Sequence, residues 1–344
     1  MKIAILSTIE ESVPPVKYGG IEVVVANLAE GLVKKGHDVT LFGTGDSKTS
    51  AKLVPLVPKA IRRLPEAKST EIREMWKHIS ISQALSAIKE EHFDIIHSHT
   101  SFYYVPFAMH AAAPSVTTLH GSLEAPVDNF VFPQFPDHNY ISISNNQREP
   151  LPQLNYVATV YNGIDVNKFT PLYEPGKYLA FLGRIMPDKG IDEAIKVARH
   201  TGLPLKIAAK IDPYDQEYYD QVIKPQIDGQ SIEYLGEVDH AGKNELLKNA
   251  IALLFPILWR EPFGLVMAEA MACGTPVIGL RRGSVEEVVS NGETGFVVDT
   301  MEEMVEAVKK ISTIKRELCR QRAEANFSMD TMISGYEAAY KKII

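Results

Sequence analysis

The first half of the chain alternates short apolar runs with segments of helical period. The first two runs cover residues 3–7 and 39–42. Between them, residues 21–35 place apolar side chains on one broad helical face, and Gly36 is positioned to end this helix. A strand, a helix and a second strand in this order predict a βαβ unit with a parallel sheet. The further strands predicted in this half are 95–98, 116–119, 140–143 and 157–161.

The alternation restarts after residues 162–176, a connector that is rich in turn-forming residues and has no sustained period. Two such series predict an α/β fold of two doubly wound domains, 1–163 and 164–330, with a closing helix at 331–344 that crosses back to the first domain. We expect the carboxyl ends of both sets of strands, where ligands of such sheets bind, to face a shared cleft. The strands predicted in this half are 178–183, 205–209, 232–235, 251–255, 277–280 and 295–298, and the helices are 191–200, 214–224, 244–249, 265–273, 285–290 and 301–311.

Composition narrows the class of protein. The chain has 344 residues, of which 45% are hydrophobic and 23% charged, as is typical of a folded globular protein of about two domains. Its net charge of −7 argues against nucleic acid as a partner. The two cysteines, Cys273 and Cys319, allow neither a disulfide framework nor a four-ligand zinc site.

Segments that direct a protein to export or to a membrane are recognised by long apolar runs. The apolar run at residues 3–7 is shorter than the roughly 7–15 residues of a signal-peptide core, and no stretch approaches the roughly 20 apolar residues that span a bilayer. Residues 52–73 are rich in lysine and arginine, but acidic residues are interspersed, so a solvated face is favoured over membrane contact. We therefore expect a cytoplasmic protein that does not contact membranes.

A glycine pair follows the first predicted strand. Without side chains, Gly19 and Gly20 let the backbone approach a ligand, and the helix that follows offers free N–H groups to an anion such as phosphate. The alternative is a simple tight turn. The dinucleotide fingerprint GxGxxG is absent, which disfavours a dehydrogenase.

Two cations follow the first strand of the second domain. Arg184 and Lys189 flank a proline-containing loop where a strand ends and a helix begins, an arrangement that suits a diphosphate. The alternative is a pair of solvated surface charges. Lys210, after the next strand, is a further candidate phosphate ligand.

The strongest candidate segment is residues 260–276. Here Glu261 precedes a predicted helix, and Glu269 lies within it, eight positions or about two helical turns after Glu261. The amides near Gly264 and Leu265 lie between the two carboxylates and are available to an anion. Because its helix is otherwise apolar, Glu269 needs a partner. A ligand with hydroxyls at both ends and phosphate between them, such as a nucleotide-sugar, matches this layout.

Three of the ten histidines lie at the ends of predicted strands. His120 follows residues 116–119 and is expected at the edge of the cleft, the alternative being a strand-end histidine with purely structural partners. His97 and His99 are spaced like a metal-binding pair, but no third ligand has suitable spacing. We expect them to line the cleft or the acceptor side.

The chain resembles the retaining nucleotide-sugar glycosyltransferases of family 4 over essentially its whole length. The segments that carry the resemblance, in the same order as in the family, are 19–20, 162–165, 183–190 and 261–269. The resemblance implies two facing Rossmann-like domains of the GT-B fold, the first for the acceptor and the second for the donor. It implies that Glu261 binds the donor hexose, Glu269 the ribose, and Arg184 and Lys189 the diphosphate, helped by the amides of Phe263, Gly264 and Leu265. It also implies that His120 lies beside the transferred sugar, and that the donor needs no metal.

The expected reaction is hexose transfer from a nucleoside diphosphate sugar with retention, without a cofactor. Domain closure is expected to bring Gly19 and Gly20 onto the donor. UDP-glucose is the favoured donor, and the acceptor is an unidentified small molecule or glycan. Residues 13–22, 36–42 and 45–47 resemble a subgroup labelled UDP-glucose:tetrahydrobiopterin glucosyltransferase. A nucleotide-sugar 2-epimerase and a non-catalytic sugar-nucleotide binding protein remain alternatives.

Overall fold

The computed structural model describes residues 1–16 and 19–344. These residues form two compact units, Met1–Gly163 together with Met329–Ile344, and Ile164–Ser328. Tyr18, which precedes the predicted glycine loop, lies outside the described residues. Among the helices of the described ranges, none combines the length and the apolar character needed to cross a membrane.

The first unit is built on a parallel sheet, which has seven strands in the described part of the chain. Their spatial order is β3-β2-β1-β4-β5-β6-β7, so the order reverses between β1 and β4. The strands are β1 (Lys2–Leu6), β2 (Asp38–Thr44), β3 (Lys52–Val57), β4 (Ile95–Ser98), β5 (Ser115–Thr118), β6 (Asn139–Ser142) and β7 (Tyr156–Thr159).

The expectation of six strands in this half was wrong, because β3 was not predicted. Pro55 interrupts its pattern, and a proline is tolerated there because β3 lies at the edge of the sheet. The rest of the basic segment forms two 3-10 turns and the start of a helix. Its arginines are ion-paired, as Arg73 with Glu10 at 2.8 Å illustrates.

Three helices of the first unit precede the connector: α1 (Gly20–Lys34), α2 (Thr70–Lys89) and α3 (Pro126–Val131). The face of α1 that carries Val24, Leu28 and Leu32 is buried, as its periodicity predicts. The Ser69 hydroxyl caps α2 by accepting a hydrogen bond from the Ile72 N–H.

The second unit also contains a parallel sheet, with six strands in the order β10-β9-β8-β11-β12-β13. All six were predicted, and the order reverses between β8 and β11. The strands are β8 (Tyr178–Arg184), β9 (Leu205–Lys210), β10 (Ile232–Gly236), β11 (Ala250–Phe255), β12 (Val277–Leu280) and β13 (Gly295–Val298).

The helices of the second unit follow the prediction with two exceptions. The expected helix at 214–224 is instead a short α-helical turn between 3-10 and π-helical turns, and Pro213 and Pro225 limit regular hydrogen bonding at its two ends. The helix after residue 315 was not predicted, because few of its positions are apolar. The helices are α4 (Ile191–Thr201), α5 (Gln216–Tyr218), α6 (His240–Lys248), α7 (Leu265–Ala272), α8 (Val285–Val288), α9 (Met301–Lys310) and α10 (Arg316–Phe327).

The last helix, α11 (Met329–Ile343), belongs to the first unit and packs against α1 and β7. It begins two residues before the predicted start. Ile333 lies against Gly31 of α1, where even a methyl group would collide with it. Tyr336 and Tyr340, one helical turn apart, are fully buried. This helix therefore supplies part of the first unit's core.

Candidate active site

The candidate site of the second unit lies at the carboxyl ends of β8 and β11, the strands between which the order reverses. Ligands of doubly wound sheets bind at such a switch point. Arg184 ends β8, and Lys189 lies in the loop that follows. Glu261 lies in the loop between β11 and α7. The two loops are joined where the Leu258 N–H donates to the Asp188 carbonyl oxygen at 2.9 Å.

Lys189 and Glu261 form a partly buried ion pair. The Nζ of Lys189 donates to Oε2 of Glu261 at 2.5 Å, and the indole N–H of Trp259 donates to the same oxygen at 3.1 Å. The Lys189 ammonium also lies 5.0 Å from the centre of the Trp259 ring, within cation–π range. Trp259 was missed in the sequence, although it lies two residues before Glu261. The contacts among Lys189, Trp259 and Glu261 hold the ammonium and the carboxylate side by side.

Contacts from the interior hold the Glu261 loop in position. Ser284, which follows β12, donates from its N–H to the Glu261 carbonyl oxygen at 2.9 Å and from its hydroxyl to the Phe263 carbonyl oxygen at 2.8 Å. The Phe263 side chain is buried against Phe327, with ring centres 5.6 Å apart. Phe263 therefore anchors this loop.

Gly264 turns the chain from the loop into α7. Its φ of +74° lies in the left-handed region, which a residue with a side chain rarely adopts. The helix begins at Leu265, so the amides of Phe263, Gly264 and Leu265 lie at its positive end. These are the amides that the sequence proposed for anion binding.

Glu269 lies on α7 and is only 6% exposed. Its predicted need for a partner is met by Lys243 of α6, whose Nζ donates to Oε1 at 2.5 Å. Lys243 had no signal in the sequence. The two carboxylates of the predicted motif thus have separate lysine partners, Lys189 for Glu261 and Lys243 for Glu269.

Arg184 forms an ion pair with a carboxylate on the next strand's loop. Its guanidinium donates to Oδ2 of Asp212 at 3.2 Å, and Lys210 lies 3.1 Å from Oδ1 of the same side chain. Burial raises the pKa of the Asp212 carboxyl, but the hydrogen bonds and charges of Lys210 and Arg184 outweigh burial and the net pKa is lowered. Arg184 and Lys189 therefore form ion pairs with two different carboxylates, Asp212 and Glu261.

In the first unit, Gly19 precedes α1 in an extended conformation. A Cβ at Gly19 would lie 2.8 Å from both Oε2 of Glu22 and Cβ of Pro15, so the close packing requires glycine. Glu22 is buried and accepts a hydrogen bond from the Thr8 hydroxyl at 2.5 Å. Burial raises the pKa of its carboxyl. The start of α1 at Gly20 therefore already carries an acidic group, which the expectation of a simple phosphate loop did not include.

His120 lies two residues after β5, at the carboxyl edge of the first sheet. Its Nε2 is 2.9 Å from Nδ1 of His99, and the two rings are stacked with centres 5.2 Å apart. Burial lowers the pKa of His120 to about 4. The imidazole is therefore neutral near pH 7.

The expectation that His97 and His99 line a cleft was wrong, because both are buried. His97 is hydrogen-bonded through Nδ1 to the Tyr340 hydroxyl and through Nε2 to the Thr118 hydroxyl, each at 2.7 Å. Tyr336 and Tyr340 of α11 pack against the two histidines. Tyr340 lies 243 residues from His97 in the sequence. Such a distant contact leaves no local signal in the sequence. Within residues 1–16 and 19–344, no group of three or more histidine, cysteine or acidic side chains is arranged to hold a metal.

Two family models match consecutive parts of the chain, and these parts contain the predicted site residues described above. The model named Glycosyltransferase Family 4 matches residues 18–168, and the model named Glycosyl transferases group 1 matches residues 165–329. The chain belongs to the family 4 glycosyltransferases. The two matches together include the glycine loop, His120, both cation loops and both glutamates of the candidate site.

Similar proteins match this glycosyltransferase over nearly its full length. N-acetyl-α-D-glucosaminyl L-malate synthase of Bacillus anthracis is 23% identical over 95% of this chain and 94% of its own. The structure of AviGT4, a glycosyltransferase involved in avilamycin A biosynthesis, has a TM-score of 0.76 at 24% identity and covers 100% of this chain and 98% of its own. Anabaena HepE, in complex with UDP and glucose, has a TM-score of 0.77 at 18% identity over 99% of this chain and 100% of its own. These structures confirm the two-domain α/β fold of the GT-B type.

Proposed function

We propose that this glycosyltransferase transfers a hexose, with glucose favoured, from a UDP-sugar to a small-molecule or glycan acceptor, with retention of anomeric configuration and without a metal. The observation that carries the proposal is the Lys189–Glu261 pair beside the positive end of α7, at the switch point of the second sheet. It combines a cation and helix amides for a diphosphate with a carboxylate for sugar hydroxyls.

The donor is assigned to the second unit group by group. Glu261 accepts hydrogen bonds from hexose hydroxyls, and Glu269 from the ribose. Arg184 and Lys189 bind the diphosphate, together with the amides of Phe263, Gly264 and Leu265. The existing pairs of Arg184 with Asp212 and of Lys189 with Glu261 hold the cations in place before the donor binds, so little reorganisation is needed.

The proposed mechanism depends on stabilising the negative charge of the leaving diphosphate. As the glycosidic bond breaks, negative charge develops on the diphosphate oxygens, where fixed cations and helix amides stabilise it most effectively. The bond to the acceptor oxygen forms on the same face of the sugar, and the acceptor's proton passes to a departing diphosphate oxygen. No covalent bond between sugar and protein is required. Arg184 and Lys189 supply the positive charge that a divalent metal would otherwise contribute.

The first unit contributes His120 and the glycine loop. His120 is proposed to contact the transferred hexose, and Gly19 and Gly20 allow the backbone to approach the donor. Domain closure that brings this loop onto the donor would exclude water and protect the donor from hydrolysis.

UDP-glucose is favoured because Anabaena HepE has been crystallised with UDP-glucose and shares the fold. The proposal for the acceptor is less specific than that for the donor. Tetrahydrobiopterin is one candidate, and the malate acceptor implied by the name of the Bacillus anthracis relative makes a hydroxy acid another.

The test is an assay of UDP-glucose with a panel of hydroxyl-bearing acceptors, including a pterin, hydroxy acids and oligosaccharides, in the presence of EDTA. We expect release of UDP together with an α-linked product, identified by the anomeric proton in NMR. A β-linked product contradicts retention, and dependence on added metal contradicts metal independence. Conversion of the donor to its 2-epimer indicates the epimerase, and binding without turnover indicates a binding protein.

A further inference from the structure

The hydrogen bond between His99 and His120 constrains the protons on both rings. His99 follows β4 directly, and its Nδ1 lies 2.9 Å from Nε2 of His120. A hydrogen bond between two neutral imidazoles needs one nitrogen that carries the proton and one that carries the lone pair. Two arrangements are therefore available, and they leave His120 with opposite chemistry at its other nitrogen, Nδ1.

Both rings are neutral at pH 7. His99 is 1% exposed, and burial lowers its pKa well below the ordinary value, with smaller contributions from the neighbouring His97 and His120. Burial also lowers the pKa of His120 to about 4. Each imidazole therefore carries a single ring proton, whose position the surroundings decide.

The surroundings of His99 favour one arrangement. Among the residues that the structure describes, none forms a hydrogen bond with the buried Nε2 of His99. If the proton were on Nε2, a buried N–H group would have no acceptor, which is rare in native proteins. If the proton is on Nδ1, it lies in the hydrogen bond to His120.

We propose that His99 donates from Nδ1 to Nε2 of His120 and so fixes His120 as the tautomer protonated at Nδ1. His99 is then a positioning residue, and His120 presents a hydrogen-bond donor to its ligand. This inference rests on the proposed function for its consequence: His120 donates to an oxygen of the hexose and is unable to accept the acceptor's proton. That assignment agrees with proton transfer to the diphosphate.

The packing around His99 keeps its ring in the orientation that this tautomer requires. The His97 ring lies 4.1 Å from the His99 ring, centre to centre, and both of its nitrogens take part in hydrogen bonds, to Tyr340 and Thr118. Tyr336 of α11 contacts the His99 ring edge to face, at 6.5 Å. Rotation of the His99 ring would therefore require displacement of α11 side chains.

The first test is NMR of the wild-type protein labelled with ¹⁵N-histidine, at neutral pH and without substrate. Long-range ¹H–¹⁵N correlations distinguish a protonated ring nitrogen from an unprotonated one. We expect protonated Nδ1 and unprotonated Nε2 in both His99 and His120, with signals assigned from the His99→Asn and His120→Gln variants. Protonated Nε2 in His120 overturns the proposal. This result is independent of turnover, so it stands apart from any failure of the proposed function.

The second test compares two substitutions of His99. His99→Asn places an amide N–H near the position of Nδ1 and is expected to keep kcat within a few fold, whereas His99→Leu removes the donor and is expected to lower kcat by roughly 10- to 100-fold with little change in KM for UDP-glucose. His138→Leu is the matched control, because His138 is another partly buried histidine of this unit, hydrogen-bonded instead to Thr117. Equal loss in both His99 variants, or no loss in His99→Leu, contradicts a positioning role.

Discussion

The ammonium of Lys189 and the carboxylate of Glu261, 72 residues apart in the sequence, are joined by a hydrogen bond of 2.5 Å. The pair connects the loop after β8 to the loop after β11, on the two sides of the switch point. Both side chains are mostly shielded, being 15% and 13% exposed. This geometry fixes the Lys189 ammonium on the loop that leads into α7.

Replacement of Lys189 tests its role in catalysis. Lys189→Met is expected to lower kcat by roughly 10²- to 10³-fold, because it removes a fixed donor from the position where the diphosphate acquires charge. The free energy of unfolding should fall by about 2 kcal/mol, because the mostly shielded Glu261 carboxylate loses its cation and keeps only the Trp259 N–H. Lys196→Met is the control, because Lys196 forms ion pairs on the exposed face of α4. Wild-type turnover in Lys189→Met would remove this residue from the diphosphate site.

Glu269 is predicted to act in donor binding more than in stability. Glu269→Gln should raise the Kd for UDP-glucose about tenfold through loss of a charge-assisted hydrogen bond, at little cost in folding. Lys243→Met should destabilise the fold by about 2 kcal/mol, because the buried carboxylate loses its cation. Calorimetry and urea unfolding separate the two effects. Lys248→Met is the control on the same helix, since its partner Glu245 is 62% exposed. Unchanged affinity in Glu269→Gln would exclude contact with the ribose.

The hydroxyl of Tyr340 is predicted to stabilise the first unit. Tyr340→Phe removes the partner of His97 Nδ1 at a fully buried position, which should cost about 1–2 kcal/mol. Tyr214→Phe should cost almost nothing, because Tyr214 is 88% exposed. Equal urea midpoints for the two variants would mean that the hydrogen bond to His97 adds no net stability.

Acidification is predicted to destabilise the protein through its buried histidines. Burial lowers the pKa of His97 to about 3 in the folded state, while the unfolded chain has the ordinary value near 6.5. Below pH 6.5 the unfolded state therefore binds protons that the folded state does not, so stability is complete above this pH and declines as the pH falls towards 3. Between pH 7 and pH 5 the contribution of His97 to this loss is about 2 kcal/mol.

The variant His97→Gln isolates that contribution. It should be less stable than the wild type at pH 7, yet lose about 2 kcal/mol less on transfer to pH 5, because one titrating group is absent. Urea unfolding at the two pH values measures both quantities. Identical losses in the variant and the wild type would show that His97 is not responsible for the pH dependence.

Features set by local sequence were predicted, and features set by distant packing were not. The strand β12 was predicted because all four of its residues are apolar and buried. The strand β3 was missed because Pro55 interrupts its short apolar run at the edge of the sheet. In the site, the spacing of Glu261 and Glu269 follows from one loop and one helix and is visible in the sequence.

The partners of the predicted site residues were the part that the sequence could not supply. Lys243 reaches Glu269 from α6, and Tyr340 reaches His97 from the far end of the chain. Such pairs depend on how separate elements pack. The local sequence around Lys243 and Tyr340 does not identify their partners. For the same reason, burial of His97 and His99 was not foreseen, since the helix that covers them lies more than 200 residues away.

The most direct test of the donor assignment is thermal unfolding of the wild type and of Lys189→Met with UDP, UDP-glucose, GDP and ADP, all in EDTA. A ligand at about a hundredfold excess over its Kd stabilises the folded state by about 2.7 kcal/mol, which gives a clear rise in Tm. We predict that UDP and UDP-glucose stabilise the wild type, that GDP and ADP have little effect, and that the response of Lys189→Met is much smaller. Absence of stabilisation by every nucleotide, or an equal response in the variant, would contradict the assignment of this site to a nucleoside diphosphate sugar.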